Sequence, residues 1–409
     1  MTAASRTAST FRIERWRAVT SGILETAGTT FLLLVALRWF QAGALAKALV
    51  AAGSSFGLLI TPLVVTFVTR QGLPPSAAAA RIMLVGACAF LLPAIVPSLP
   101  VYVLGAVTGM TMVSAVIPLL TQMYQENYPA DQRGRLFSRT VVIRILAAAV
   151  FAKFAGSLLA RDLEYFRGLL AIFAACSLAA AALLHRCVTT PIADAGGAHP
   201  LRALRFVRED PVFRRTLIAW MLMGFANLMM LPLRVEYLAH ERYGLRLPAD
   251  QIALYTSVVP NLARLVMSPI WGWLFDRMNF FALRVTLNLG FMFGILSFFT
   301  TGSPVGLIVG AIIYGVSNAG GDVAWSLWVT KFAPPDRVAD YMSVHTCFTG
   351  IRGVLAPVTA FQLAAVASLP ALGWFSAALI GAACLVLLPD TRASRGRPGA
   401  KALVEEVSD

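Results

Sequence analysis

The sequence predicts an all-α membrane protein with twelve transmembrane helices, arranged as two six-helix halves related by a pseudo-twofold axis. Three observations predict this fold: the apolar blocks are long, about twelve of them follow one another, and the second six repeat the first at an offset of about 205 residues. Crossing hydrocarbon takes about 20 apolar residues, whereas a helix in a soluble core seldom contains more than about a dozen. With 58% hydrophobic and 13% charged residues, the chain has more apolar surface than a soluble core could bury.

The apolar blocks predict helices 1 to 12. They are 19–40, 44–69, 78–98, 101–124, 138–160, 166–186, 213–235, 250–275, 280–301, 304–329, 340–365 and 368–389. The connectors are short, so no sizeable soluble domain is left over. This argues against a membrane-tethered enzyme, and no nucleophile–base pattern or phosphate loop points to one.

One break in composition divides the chain. Residues 188–212 contain prolines and glycines followed by arginines, and they separate an N-terminal bundle, 1–187, from a C-terminal bundle, 213–391. A basic tail, 392–409, follows. The linker carries apolar residues at helical spacing, so it either lies along the inner membrane surface or is a solvated connector.

The net charge of +14 could suggest nucleic acid, but the basic residues lie mostly in alternate loops. The N-terminus, the loop after helix 4, the linker and the tail are all basic and fall on one side. The positive-inside rule then places both termini in the cytoplasm of a multi-pass protein of the bacterial inner membrane. We expect no nucleic-acid partner.

The first apolar block carries Glu25 and has no small-residue cleavage site, so it is interpreted as a retained helix rather than a signal peptide. The five cysteines show no CxxC pairing and the four histidines show no ligand spacing. The sequence therefore predicts neither a metal nor a cofactor.

Ionisable residues inside the apolar blocks are candidate functional residues, because a charge at mid-bilayer is costly and usually faces a bundle interior. Helices 3, 6, 9 and 12 have none in their central portions. The candidates on the other helices are Glu25, Arg144, Lys153, Arg264, Asp322 and Arg352. Arg144 and Lys153 are nine residues apart and fall on opposite faces of helix 5, so only one of them can line a cavity.

Three helices of the C-terminal half each carry a polar stripe at helical spacing. The stripes are Ser257, Asn261, Arg264 and Ser268 on helix 8, Tyr314, Asn318, Asp322 and Trp325 on helix 10, and His345, Thr349, Arg352 and Thr359 on helix 11. One interpretation is an Arg–Asp pair that holds helices together. The other is a substrate and coupling site, in which arginine binds carboxylate or phosphate oxygens and Asp322 carries a proton or balances charge. Asn227, near Pro232 on helix 7, is a further candidate binding residue.

Two short motifs complete the pattern. Gly272-Trp273-Leu274-Phe275-Asp276-Arg277, after helix 8, is similar to the G-x-L-x-D-R loop motif of the major facilitator superfamily, and Arg133-Gly134-Arg135, after helix 4, is similar to its R-G-R loop. The first-half copy of the G-x-L-x-D-R motif is reduced to Thr69-Arg70-Gln71-Gly72 and lacks the acidic residue. Over its full length the chain resembles this superfamily.

The resemblance implies a central cavity, alternating access, and helices 3, 6, 9 and 12 facing lipid. It also implies that Gly272, Asp276, Arg277, Arg133 and Arg135 act in gating. Asp276 could accept hydrogen bonds from the N-terminus of helix 11 when the cytoplasmic ends are closed. Alternatively, Asp276 and Arg277 are ordinary interfacial charges.

These features predict a secondary active transporter, a monomer whose partners are a small-molecule substrate, protons and the lipid bilayer. The mid-membrane charge is biased positive, which favours a small organic anion moved with protons. A drug or sugar efflux antiporter is the alternative, but 146–156 of helix 5 lack the proline of the G-x-x-x-G-P-x-x-G stretch that antiporters of the resembled family carry. A non-transporting sensor or partner subunit on the same scaffold is an alternative of another class.

Overall fold

A computed structural model describes residues 3–191, 204–328 and 338–393, which are helical apart from short connectors. It contains twelve long helices, numbered α1 to α12, in the described part of the chain. Their bounds are Ala3–Thr26 continued by Ala27–Phe31 and Leu32–Arg38 (α1), Ala44–Arg70 (α2), Pro75–Ile95 (α3), Leu99–Ala115 continued by Ile117–Asn127 (α4), Ala130–Arg161 (α5), Phe166–His185 (α6), Pro211–Ala239 (α7), Ala249–Ala253 continued by Leu254–Val258 and Val259–Arg277 (α8), Phe280–Thr300 (α9), Pro304–Leu327 (α10), Val338–Val366 (α11) and Leu369–Ala393 (α12). The predicted fold class is confirmed.

Within the described ranges, eleven of these helices are long and apolar enough to cross a membrane. The remaining one, α8, is equally long but carries a polar stripe that includes Asn261 and Arg264. Both α1 and α8 contain one π-helical turn, Ala27–Phe31 and Leu254–Val258. Single π turns are often found at functional sites, because the extra residue re-aims the side chains around it.

Helix α1 begins at Ala3, well before the predicted start at residue 19, and that boundary was wrong. The added turns are polar, so hydropathy could not detect them. They are held by contacts with the end of α4: Thr7 Oγ1 donates to the Asn127 carbonyl at 2.8 Å, and Arg17 Nη2 donates to the Tyr124 hydroxyl at 2.7 Å. Tertiary contacts thus extend a helix beyond its apolar block.

Most of the predicted linker, 192–203, and the tail from 394 lie outside the described residues. The described end of the linker forms the short helix Arg205–Glu209. Its Phe206 stacks on Tyr341 of α11, with ring centroids 4.9 Å apart. The linker is therefore anchored against the C-terminal half at the start of α7.

The halves α1–α6 and α7–α12 meet mainly along α2 with α11 and α5 with α8. Glycines lie at these crossings. A Cβ on Gly350 would meet the Leu59 backbone at 2.8 Å, and one on Gly156 would meet the Ala253 Cβ at 2.6 Å. Small residues are used at such places because they let helix backbones approach closely within a membrane.

Candidate functional site

Four charged side chains from both halves form one network, called here the central network. Arg264 of α8 donates through Nη1 to Glu25 Oε1 of α1 at 2.6 Å and through Nε to Asp322 Oδ2 of α10 at 2.6 Å. Arg144 Nε of α5 lies 3.3 Å from Glu25 Oε2, an ion-pair distance without hydrogen-bond geometry. Among the described residues, the two guanidiniums and two carboxylates of the central network carry no net charge together.

Polar neighbours on α8 hold Arg264 in place. Asn261 Oδ1 accepts a hydrogen bond from Arg264 Nη1 at 3.4 Å, and Asn261 Nδ2 donates to Ser257 Oγ at 3.4 Å. Glu25 lies thirteen residues before the end of α1 at Arg38. At a rise of 1.5 Å per residue this is about 20 Å, so the central network lies near mid-depth.

The network combines a buried cation with reachable carboxylates. The side chain of Arg264 is 5% exposed, whereas those of Glu25 and Asp322 are 26% and 43% exposed. Because these side chains lie where the two halves meet, their exposure defines a space between the halves that solvent can reach.

The halves are closed on one side of this space. We call the side where α1 begins and α12 ends the terminal side, and the opposite one the far side. On the far side, Lys47 Nζ of α2 donates to Glu236 Oε1 of α7 at 2.7 Å, and both residues are buried. Arg38 Nη2 donates to the Ala239 carbonyl at 3.2 Å and also to the Leu247 carbonyl. These contacts therefore close the space around the central network on the far side.

A further contact across the halves lies between the central network and the far side. The hydroxyls of Thr30 and Thr256, one from each π turn, are 2.9 Å apart and buried. The two π turns thus help to close the space between the halves on the far side of the central network.

The structure brings together Glu25, Arg144, Arg264, Asp322 and Asn261 of the residues selected from the sequence. The choice between Arg144 and Lys153, which the sequence leaves open, is decided by contact. Arg144 pairs with Glu25, while Lys153 is exposed on another face of α5. Asn318 is half-buried on α10, one turn before Asp322.

Two predicted site residues lie elsewhere. Arg352 does not join Arg264, because its guanidinium is buried within the C-terminal half and donates to the Trp220 carbonyl of α7. A Cβ on Gly224 would overlap that guanidinium, so this glycine provides the room for it. Asn227 lines a small cavity within the same half, together with Arg234 and Tyr314.

The gating assignments stay predictions. The side chains of Arg133, Arg135 and Asp276 lie outside the described part of the structure. Arg277 is exposed, with its Cζ 4.4 Å from the centroid of the Trp273 ring. Gly272 lies in the last turns of α8, and a Cβ there would meet nothing within 4 Å.

Several buried charges are not among the candidate residues that the sequence predicts. Lys47 lies near the start of helix 2, and Arg234 and Glu236 lie near the outer end of helix 7, where charges are expected at the membrane surface. Arg284, the fifth residue of α9, is 1% exposed. Arg284 and Asn288 are four residues apart on an otherwise apolar helix, and that spacing is the signal that could have identified them.

Twelve helices in two halves, with a charged site between the halves, are the architecture of a secondary transporter. The sequence model of the Major Facilitator Superfamily matches residues 18–357 and 245–407, so the chain belongs to this superfamily. The resemblance that the loop motifs indicated is thereby confirmed. No curated protein sequence matches the chain.

Solved structures share the fold at low sequence identity. The nucleoside transporter NupG has a TM-score of 0.72 at 12% identity, covering 95% of this chain and 99% of its own. The human organic anion transporter MFSD10 has a TM-score of 0.67 at 16% identity, covering 95% and 100%. The xylose transporter XylE from E. coli, in a partially occluded inward-open conformation, has a TM-score of 0.64 at 16% identity, covering 95% and 96%.

Proposed function

We propose that this protein moves a small organic anion together with a proton across the bacterial inner membrane by alternating access. The substrate binds at the central network. With both termini in the cytoplasm, as the positive-inside rule predicts, the space on the terminal side faces the cytoplasm. The closed far side then faces away from the cytoplasm.

The observation that carries the proposal is the charge balance of the central network. An anion binding alone would give the site a net charge of −1 and would compete with two carboxylates for Arg264. A proton binding alone would give it +1. Uncompensated charge at mid-membrane depth is costly, so a proton and a monovalent anion bind more favourably together than separately.

The two carboxylates of the central network, Glu25 and Asp322, have different roles. Glu25 lies between two guanidiniums, Arg144 and Arg264, while Asp322 has the more exposed side chain. We therefore assign the proton to Asp322. When Asp322 becomes neutral, the Nε of Arg264 is released to donate to a carboxylate or phosphate oxygen of the substrate in a charge-assisted hydrogen bond.

The same contacts couple binding to movement. Arg264 belongs to the C-terminal half and Glu25 to the N-terminal half, so a substrate that changes their contact changes how firmly the halves are joined. Opening the far side requires separation of Lys47 from Glu236. Rocking of the halves about a central site is the expected transport motion of this architecture.

The comparisons support a transporter and leave the substrate open. XylE is a proton symporter for xylose, and MFSD10 is an organic anion transporter. At 16% identity or less these similarities show the fold alone. They are compatible with either an anionic or a neutral substrate at the central network.

The test is uptake into proteoliposomes containing the purified protein, with a panel of radiolabelled monocarboxylates and sugar phosphates. The substrate is first identified by counterflow. Its uptake is then driven by an imposed pH gradient, and a potassium–valinomycin potential is applied separately. We expect accumulation that follows the pH gradient and, for a monovalent anion, does not respond to the potential, because the transported complex is neutral.

Two variants then distinguish substrate binding from coupling to the proton gradient. Asp322→Asn should retain counterflow and lose accumulation driven by the pH gradient, whereas Arg264→Ala should lose both. Uptake that is stimulated by an inside-negative potential would refute the neutral cycle and favour a neutral substrate, such as a sugar, moved with a proton. Ligand binding without any counterflow would indicate a sensor.

A further inference from the structure

A second group of charges lies inside the C-terminal half, away from the central network. It consists of Trp220 on α7, Arg284 on α9, and His345 and Arg352 on α11, and is called here the indole cluster. The Cζ atoms of Arg284 and Arg352 lie 3.6 Å and 5.9 Å from the centroid of the Trp220 ring. The His345 ring centroid is 5.2 Å from it. All four residues are buried.

The indole cluster holds cations without assigned counter-charges. Among the described residues, neither Arg284 nor Arg352 has a salt bridge. The Arg352 guanidinium donates instead to the neutral Trp220 carbonyl. Buried polar groups are normally hydrogen-bonded, and a buried charge is normally paired as well.

Several donors in the cluster are unused. In the described ranges, the buried nitrogens without a hydrogen-bond partner include Arg284 Nη1 and Nη2, Arg352 Nε, Trp220 Nε1 and His345 Nε2. Four of these five nitrogens, two on Arg284 and one each on Arg352 and Trp220, can only donate, so this group of side chains lacks an acceptor. Guanidinium and indole N–H groups donate and do not accept, so the missing partner is an anion.

Stacking on Trp220 does not replace that partner. A cation–π contact recovers only a part of what it costs to remove a guanidinium from water, and here two guanidiniums share one ring. The four side chains come from α7, α9 and α11, the Trp328 ring at the C-terminal end of α10 lies 5.0 Å from the His345 ring, and each side chain is buried. This enclosure favours a small ion over an organic anion.

We propose that the indole cluster binds a monovalent inorganic anion the size of chloride, and that this ion ties α7, α9 and α11 together. The site is separate from the central network and does not depend on the identity of the transported substrate. Its occupancy sets the stability of the C-terminal half.

The first test is thermal unfolding of the purified full-length protein in a non-ionic detergent. Sodium chloride is titrated against sodium gluconate at constant ionic strength, which removes general salt effects. We expect the unfolding temperature to rise in a saturable way, by about 2 °C or more at one hundred times the Kd. Arg284→Gln should abolish the chloride response.

The matched control is Arg234→Gln. Arg234 is also a buried arginine of the C-terminal half with unpartnered nitrogens, but it stacks on Tyr314, at 3.9 Å, outside the indole cluster. This variant should keep the chloride response even if it is less stable. Loss of the response in both variants would mean that it reflects general destabilisation, and would overturn the proposal.

A second measurement does not depend on the folding of an arginine variant. Iodide quenches tryptophan fluorescence on contact, so iodide bound at the cluster should quench Trp220 with a saturable component that chloride displaces. Trp220→Phe should lack that component. A chloride-independent unfolding temperature together with purely linear iodide quenching in the wild-type protein would show that no halide binds there, and that another group neutralises the arginines.

Discussion

The buried pair of Lys47 and Glu236 is the sharpest test of the closed far side. Its atoms are 2.7 Å apart, the side chains are 11% and 3% exposed, and Glu236 Oε2 has no hydrogen-bond partner among the described residues. Removing one partner of such a pair leaves an unpaired buried charge and costs about 3–5 kcal/mol. When the far side opens, both side chains reach water and this cost disappears. Lys47→Met should therefore shift the equilibrium toward the far-side-open state by about a hundredfold to several thousandfold.

The shift is measured as a distance distribution between spin labels on the two halves. Leu45 and Val366 are exposed at the far ends of α2 and α11, and they can be labelled after the five native cysteines are replaced. We expect longer distances in Lys47→Met. The double variant Lys47→Met/Glu236→Met should return toward the wild-type distribution, because no unpaired charge remains.

An exposed ion pair on the same side serves as the control. Arg246 and Glu241 are 2.8 Å apart but their side chains are 70% and 66% exposed, so breaking this pair should cost at most about 1 kcal/mol. Glu241→Gln should leave the distances unchanged. If Lys47→Met leaves the distribution as in the wild type, or if Glu241→Gln shifts it equally, the assignment of this pair as a far-side closure is refuted.

Two further pairs of variants test the placement of individual side chains. Arg144→Gln should weaken substrate binding by up to about fivefold in a counterflow assay, because its contact with the central network is partly exposed, while Lys153→Gln should leave binding unchanged. Equal effects of both would contradict the orientation of α5. Gly224→Ala should destabilise the protein by about 1–3 kcal/mol, because its Cβ overlaps the Arg352 guanidinium. Gly381→Ala, where a Cβ meets nothing within 4 Å, should be neutral or stabilising by up to about 1 kcal/mol in the same thermal unfolding experiment.

The candidate site was only partly predictable. The stripes on helices 8 and 11 obey the same periodicity, and the sequence predicted that Arg264 and Arg352 would both face a central cavity. The structure places Arg264 between the halves and Arg352 against α7 within one half. Periodicity places a residue on a face of its own helix, but the neighbour of that face depends on how the helix is rotated in the bundle.

The burial of charged residues near predicted helix ends was equally hard to predict from the sequence. A charge close to a boundary is expected to extend to the membrane surface, so the position of Arg284 near the start of helix 9 does not by itself indicate burial. In the structure it turns inward and stacks on Trp220. Lys47 likewise is paired with Glu236 rather than solvated.

The sequence by itself determined the class of protein, the number of helices and, for most of them, their bounds to within about three residues. These features could be predicted because the length of an apolar block and the charge of a loop are local properties of the sequence. They determine directly whether a segment crosses the bilayer and which side a loop occupies. Only the tertiary structure decided which charges meet, which side is closed, and that two arginines of the C-terminal half lie against one indole ring. Those contacts join residues far apart in the chain, and their geometry depends on the packing of all the helices at once.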